Sequence, residues 1–237
     1  MVQLNELEML EKLKKYSTPT IGNVVATFTK DPLCLRIYDP WYGKWYTDES
    51  VRCIYPELGP RIGYAVNVVY AMPDINYKGY AFTDLIDVLW DSKKPIILIC
   101  QQDFPPDLLP RNGLFGGRMT ATFKACGVVG VLTNGPSRDV DEIKELDVQY
   151  IMSGIASGHG EFSLRAINVP VSVAGMDVAP GDVIHMDEHG ACKFPADRMA
   201  ELCNNIDAMV QTEEEQVEAI LSAKSAEDIK AVFKSIK

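Results

Sequence analysis

Apolar residues recur at helical spacing near both ends of the chain and fall in short unbroken runs between them. Residues 4–15 carry Leu4, Leu7, Met9, Leu10 and Leu13, with Lys12, Lys14 and Lys15 at the end where cations suit a helix dipole. Thr18-Pro19-Thr20 resets the chain and starts a second short helix through Ile21, Val24 and Val25. Residues 65–70 (AVNVVY), 95–100 (PIILIC) and 128–132 (VVGVL) read as strands, the last two without the alternation of a half-exposed strand. Helices are predicted over 83–89, 118–126 and 139–146, and further strands over 168–173 and 182–186. Stripes through Met199, Leu202, Cys203, Ile206 and Met209, then Val217, Ile220, Leu221, Ile229, Val232, Phe233 and Ile236, predict helices over 197–211 and 213–235, with a break near 222–225. Strands alternating with helices of this length imply an α/β core with a largely parallel sheet.

Residues 31–60 break the pattern. They are rich in Pro, Tyr, Trp and Asp and show no sustained period, so an irregular excursion or short hairpin is expected. Its aromatic rings need a surface to pack on, either the same domain or a neighbouring subunit. Residues 101–112 form a second, proline-containing polar stretch.

Composition narrows the class of partner. The net charge of −10 weighs against nucleic acid and anionic membrane surfaces. No apolar run approaches the roughly 20 residues that span a bilayer, and the charged N-terminus lacks a signal-peptide core. The six cysteines contain no CxxC pair, which points to reduced thiols in a cytoplasmic protein and away from a thiolate zinc site.

Two glycine-rich corners hold the candidate chemistry. The first, Asn112-Gly113-Leu114-Phe115-Gly116-Gly117-Arg118-Met119, lies directly before a predicted helix. It is either a tight turn or an anion cradle whose backbone N–H groups at Gly117, Arg118 and Met119 face a carboxylate or phosphate. It matches neither GxGxxG nor GxxxxGK[ST], so no dinucleotide or P-loop nucleotide is expected. The second, Asn134-Gly135-Pro136-Ser137-Arg138-Asp139, follows the strand over 128–132. Asp139 and Glu142 stand at capping-box spacing, so Asp139 reads as a helix cap beside an exposed Arg138. The other reading places both corners at the carboxyl ends of adjacent strands, where open α/β sheets collect ligands. Arg138 would then pair with a substrate carboxylate, and Asp139 would hold a hard divalent cation. His159 between glycines, and His185 and His189 flanking Asp187-Glu188, read as structural; residues 187–190 suit a hairpin turn. Asp182 suits a turn as well.

The segment GGRMTATFKACGVVGVLTNGPSRD, residues 116–139, resembles the RraA-like family, which includes class II 4-hydroxy-4-methyl-2-oxoglutarate aldolases and the regulators of ribonuclease activity A. Gly127, Gly130 and Gly135 match its spaced glycines, and Arg138-Asp139 its Arg-Asp pair. VPVSVAGMDVAPGDVIHMDEHG, residues 169–190, is similar to its second signature, and GPRIGYAVNVV and KPIILIC to its preceding strands. The resemblance implies a swivelling β/α/β fold with extra N-terminal and C-terminal helices: helices and excursion over 1–58, the core over 59–196, and helices over 197–237. It also implies a homotrimer or homohexamer. In the aldolase branch, the residue matching Arg138 binds the pyruvyl part of a 2-oxo acid, the residue matching Asp139 ligates Mg²⁺ or Mn²⁺, and the glycine corner (Gly116, Gly117, Arg118, Met119) binds substrate through its amides. A glutamate from a neighbouring C-terminal helix joins the site; Glu213 is the best positional match, with Glu214 beside it. The implied activity is lyase cleavage or decarboxylation of a 2-oxo di- or tricarboxylic acid, releasing pyruvate. The alternative is a non-catalytic regulator acting through protein contacts. A methyltransferase finds no adenosyl-binding glycine loop. Three departures stand out: Gly117 replaces the acid of active aldolases, Asn134 replaces a frequent Asp, and residues 31–60 are a longer aromatic insertion than the compact members carry.

Overall fold

The computed structural model describes residues 4–28 and 31–235. Helices α1 (Glu6–Leu13) and α2 (Thr18–Val25) come first, each started by a side-chain cap: Asn5 with Glu8 in a reciprocal box, and Ser17 accepting from the Thr20 N–H. The core follows as β1 (Arg52–Cys53), β2 (Arg61–Ala71), α3 (Phe82–Asp91), β3 (Ile96–Asp103), α4 (Gly117–Ala125), β4 (Val128–Thr133), α5 (Val140–Glu145), β5 (Gln149–Met152), β6 (Ser163–Ile167), β7 (Val171–Val173), β8 (Met176–Val178), β9 (Val183–Asp187) and β10 (Gly190–Phe194). Two helices close the chain, α6 (Met199–Ser222) and α7 (Ala226–Ser235).

The sheet runs β1-β5-β4-β3-β2-β9-β10, with β6 also on β2. Only β2, β3, β4 and β5 pair in parallel; β1, β6, β9 and β10 join antiparallel. The largely parallel sheet expected from the strand runs is therefore mixed. The parallel part holds buried runs; of the antiparallel strands β1 and β6 are partly exposed, whereas β9 and β10 are buried as well. Strands β1, β5, β6 and β8 are additions to the strands read from the sequence.

Side-chain alternation divides the core between the two faces of the sheet. Val66, Val68 and Tyr70 of β2, with Leu98 and Cys100 of β3, pack under Leu85, Leu89, Phe123 and Ile143 of α3–α5. Ile62 and Tyr64 of β2 and Val183 of β9 meet α1, α2 and α6. The other face carries Ile97, Ile99, Leu132 and Ile184 against the β7–β8 hairpin. Each such aliphatic side chain contributes about 1.5–3 kcal/mol of burial. This mixed α/β architecture with flanking N- and C-terminal helices matches the RraA-like swivelling β/α/β fold.

The 31–60 excursion packs largely on its own chain. Trp45 is buried, stacks on Tyr38 and donates from Nε1 to the Asp39 carbonyl. Backbone bonds join Ile37 to Val25 and Lys193 to Trp45, so the segment threads between α2 and β10. Trp41 and Tyr42 at its tip stay exposed. One boundary needs correcting: no helix break falls near residue 212. The helix α6 runs on through Glu213 to Ser222, because the polar run Gln211–Glu215 lies beyond the buried stripe ending at Met209 and can face solvent. The break lies at 223–225, where the Ser225 hydroxyl accepts from the Asp228 N–H.

Candidate active site

The parallel strands β3 and β4 are neighbours, and both glycine corners leave from their carboxyl ends. A reciprocal clamp joins the two strand ends. The Gln102 N–H donates to Asn134 Oδ1 (2.7 Å), and Asn134 Nδ2 donates to the Gln102 carbonyl (3.1 Å). Gln102 Nε2 reaches Thr133 Oγ1 and the Pro136 carbonyl, while Asn112 Nδ2 donates to Gln102 Oε1. Aspartate at 134 could not donate the second bond, which accounts for asparagine there. Gln102 was not singled out in the sequence; its one signal is an amide placed where the apolar run 95–100 ends.

Beyond the clamp the corners run side by side. The Leu114 N–H bonds to the Pro136 carbonyl, the Arg138 N–H to the Phe115 carbonyl, and the Gly113 N–H to the Gly158 carbonyl. A Cβ on Gly113 would lie 2.7 Å from the Ala156 carbonyl oxygen and 3.3 Å from Arg138 Cβ, so only glycine permits this approach. The start of α4 is held by Thr120, whose hydroxyl donates to the Gly116 carbonyl and meets the buried Tyr150 hydroxyl at 2.7 Å. The start of α5 is held by Tyr55, whose hydroxyl donates to the Val140 carbonyl.

Asp139 corrects the capping-box expectation. It occupies the N-cap position of α5, and its carbonyl accepts from the Ile143 N–H. Its backbone, however, is left-handed (φ 57°, ψ 41°), and its side chain caps nothing in α5. Oδ2 instead accepts from the Gly117 N–H of α4 at 3.2 Å. Arg138 Nε stands 3.6 Å from the same oxygen. That Nε is shielded from solvent and has no hydrogen-bond partner among the described residues. A Cβ on Gly116 would fall 2.3 Å from Asp139 Oδ2 and 3.1 Å from Arg138 Nε. The missing side chain is therefore the space into which the acid and the guanidinium fit. The amides of Gly117, Arg118 and Met119 open α4, the first already donating to Asp139, with Arg118 exposed and Met119 half-buried. The structure thus gathers Gly116, Gly117, Arg138 and Asp139 around one point, while the Arg118 and Met119 side chains line a separate cavity with Tyr70, Tyr80 and Phe162. A cavity of about 890 Å³ opens beside Asn112, Ala156 and Gly158, with Arg111, His159 and Glu161 on its wall.

Glu213 lies elsewhere in the chain. Its carboxylate accepts from Asn23 Nδ2 of α2 at 3.0 Å, and Glu214 is exposed beside it. His185, Asp187 and Thr18 form a buried polar knot: Thr18 Oγ1 meets His185 Nδ1 at 2.9 Å, and the Thr18 N–H donates to Asp187 Oδ2 at 2.7 Å. Burial pushes the His185 imidazole down to about 4, against the opposing pull of Asp187. Asp187 also accepts from the His189 N–H in the β9–β10 turn, so these residues tie α2 to the hairpin. Asp182 accepts from the Ala179 N–H within its turn and pairs with Lys193. His159 is exposed and packs on Phe162.

Among the described residues, no group of three or more His, Cys, Asp or Glu side chains is placed to hold a metal. The corner's donors nevertheless fit a hard cation bound through one or two carboxylates and completed by substrate and water, the habit of Mg²⁺. Asp139 Oδ1 makes no hydrogen bond among the described residues, and the Gly116 cradle leaves that carboxylate room. Among the described residues, no helix is long and apolar enough to cross a membrane.

The comparisons with known proteins agree with the fold. A family model described as RraA-like, Aldolase/RraA, matches residues 46–192. Protein DlpA of Legionella pneumophila is 27% identical over 152 residues, 63% of this chain and 24% of that protein. A 4-hydroxy-4-methyl-2-oxoglutarate aldolase of Thermus thermophilus is 29% identical over 91 residues, 36% of this chain and 52% of the aldolase. The chain therefore spans only a quarter to a half of the length of these two relatives. A solved structure of a Pseudomonas syringae protein superimposes with a TM-score of 0.72 at 19% identity, covering 97% of this chain and 95% of that one, a likeness of fold. Since the matched model runs from just before β1 into β10, more than half of the sequence, this chain belongs to the RraA-like family.

Proposed function

We propose that the paired corners bind a small 2-oxo carboxylic acid together with a divalent cation, and that the protein is a lyase releasing pyruvate from a 2-oxo di- or tricarboxylic acid. The observation that carries this reading is the placement of Arg138 and Asp139 over Gly116 at the start of α4. Arg138, with a shielded Nε that has no hydrogen-bond partner among the described residues, is set to take a carboxylate. The first amides of α4 add donors and the positive end of the helix dipole, so a second anionic oxygen is stabilised on the same side. Asp139, turned away from its own helix, would hold Mg²⁺ or Mn²⁺. Bound there, such a cation would supply Lewis-acid charge to a 2-oxo group, favouring the enolate left by carbon–carbon cleavage or decarboxylation. Gly113 and the clamp of Gln102 with Asn134 keep the two corners in register. In the same reading the protein is a homotrimer or homohexamer, and Glu213 meets the corner of a neighbouring copy.

The test is pyruvate release from a panel of 2-oxo acids, oxaloacetate included, with Mg²⁺ or Mn²⁺. Turnover that depends on metal and disappears in Asp139→Asn supports the lyase; no turnover of any member with either metal excludes it.

A second reading, a binding protein that regulates another enzyme by contact, is favoured by one observation. The corner offers fewer than three acidic or imidazole ligands, and residue 117 is glycine. The net charge of −10 suits a basic partner. Recovery of a stoichiometric partner by an inactive protein would favour it.

A further inference from the structure

The first turn of α4 offers an amide to Asp139 but sends its side chains into a different space. Arg118 and Met119 line a cavity of about 510 Å³ with Tyr70, Tyr80, Phe82 and Phe162, and neither Arg138 nor Asp139 stands on its wall. Pockets for small ligands hold about 300–1,000 Å³ and are mostly apolar, with a few placed polar groups. We propose that this cavity binds a planar aromatic carboxylate, its ring among those of Tyr80, Phe82 and Phe162 and its carboxylate on the Arg118 guanidinium. The site is separate from the paired corners and does not depend on the lyase reading.

Charge selects the anion. Among the described residues, Arg118 is the one charged side chain on the cavity wall, in a chain of net charge −10. Its guanidinium is exposed and makes no hydrogen bond, ion pair or ring contact among the described residues. A cation in the first turn of a helix opposes the helix dipole, so the stability of α4 does not account for it. Its planar fork matches a carboxylate. The cavity beside Asn112, by contrast, mixes Arg111 and His159 with Glu161 and favours no single charge. The rings select the rest of the ligand. Tyr80 is 48% exposed and packs on no other ring among the described residues, yet its backbone N–H is tied to the Leu164 carbonyl at 2.8 Å. A ring held in place without a partner is a stacking surface. Tyr70 meets Phe162 edge-on at 5.7 Å, and its buried hydroxyl has no hydrogen-bond partner among the described residues. Burial pushes the pKa of that phenol up, so it stays a donor. The residues of the wall thus carry an unmet donor as well as an unmet cation.

Naphthoate is the probe, added to the full chain with isotope-labelled methionine methyl groups. The Met119 methyl signal, identified through Met119→Leu, reports an aromatic ring entering the cavity. Naphthoate is expected to shift that signal saturably, with a dissociation constant below about 1 mM. Arg118→Gln removes the charge and is expected to weaken binding by about 10-fold or more, the worth of a hydrogen bond to a charged group, with the thermal midpoint unchanged. Naphthalenemethanol, the same ring without the charge, should bind the parent about as weakly as that variant binds the acid. Tyr80→Ala removes an exposed ring and should cost about 2–10-fold, the scale of one aromatic pair. A Met119 signal that naphthoate does not move, or equal affinity in parent and Arg118→Gln, overturns the proposal. Binding lost in Arg138→Gln and kept in Arg118→Gln places the acid at the paired corners and overturns it too. A signal that moves on dilution and not with the acid assigns the cavity to a second copy of the chain. Pyruvate release decides the lyase reading separately, so either can fail alone.

Discussion

The carboxylate of Asp139 accepts from the backbone N–H of Gly117, on a different helix, at 3.2 Å. An aspartate at the first position of a helix ordinarily serves that helix; this one serves α4 and carries the cost of a left-handed backbone to do so. Stability and function therefore pull against each other at residue 139. Asp139→Gly relieves a backbone strain of about 1 kcal/mol. The variant is expected to unfold at higher urea than the parent while losing metal-dependent turnover. Were Asp139 a working cap, the same change would lower stability. Urea denaturation beside a pyruvate assay separates the two.

Gly116 tests the cradle. An added methyl would meet Asp139 Oδ2 at 2.3 Å and Arg138 Nε at 3.1 Å. Gly116→Ala should therefore push both groups out of place. Turnover is expected to fall by about 100-fold, the scale of a misplaced reacting group, with circular dichroism unchanged. Full activity in that variant would show that the acid and guanidinium need not sit over the glycine.

Arg138→Lys separates charge from geometry. Lysine keeps the positive charge but cannot offer the planar fork that pairs with a carboxylate. The expected result is a KM raised by about 10-fold or more, equal to about 1.4 kcal/mol of lost binding, with a smaller change in kcat. An unchanged KM would remove Arg138 from substrate recognition.

Buried His185 is expected to add to the acid sensitivity of the fold. Burial holds its pKa near 4 when folded, below the ordinary value of 6.5. The groups facing it are Asp187, Thr18 and the carbonyls of Leu13 and Tyr16. Because the unfolded chain takes up a proton first, stability is full above pH 6.5 and declines as the pH falls toward 4. Urea midpoints measured across that window should drop, and His185→Gln should flatten the drop. A parent midpoint that stays constant from pH 6.5 to 4 would show that His185 does not control it.

Much of the architecture was legible because the signals were local. The runs at 95–100 and 128–132 are too short for helices and too apolar for an exposed edge, and both became central strands. The glycine at 127, with φ 92°, supplies the left-handed residue that ends α4. The strand β5 stayed hidden because its four residues, Gln149–Met152, open on a polar side chain and are too few to form an apolar run. At the site, the pairing of Arg138 with Asp139 could be read, but its geometry could not. Residues 139 and 142 have capping-box spacing whether or not the box forms, and the deciding space lies over Gly116 and Gly117, more than twenty residues earlier. Likewise, the sequence could not show that Asn134 pairs with Gln102, because the two meet only across neighbouring strand ends.

Asn134 also gives the molecule a clock. It precedes Gly135, the setting in which an asparagine amide cyclises most readily and hydrolyses to aspartate. Here that ageing reaction would replace the Nδ2 donor with an oxygen facing the Gln102 carbonyl, and the bond between the strand ends would become a repulsion. The clamp also restrains the amide from reaching the cyclising geometry. A stored sample should therefore keep Asn134 intact while its fold holds, and convert it once the corners loosen.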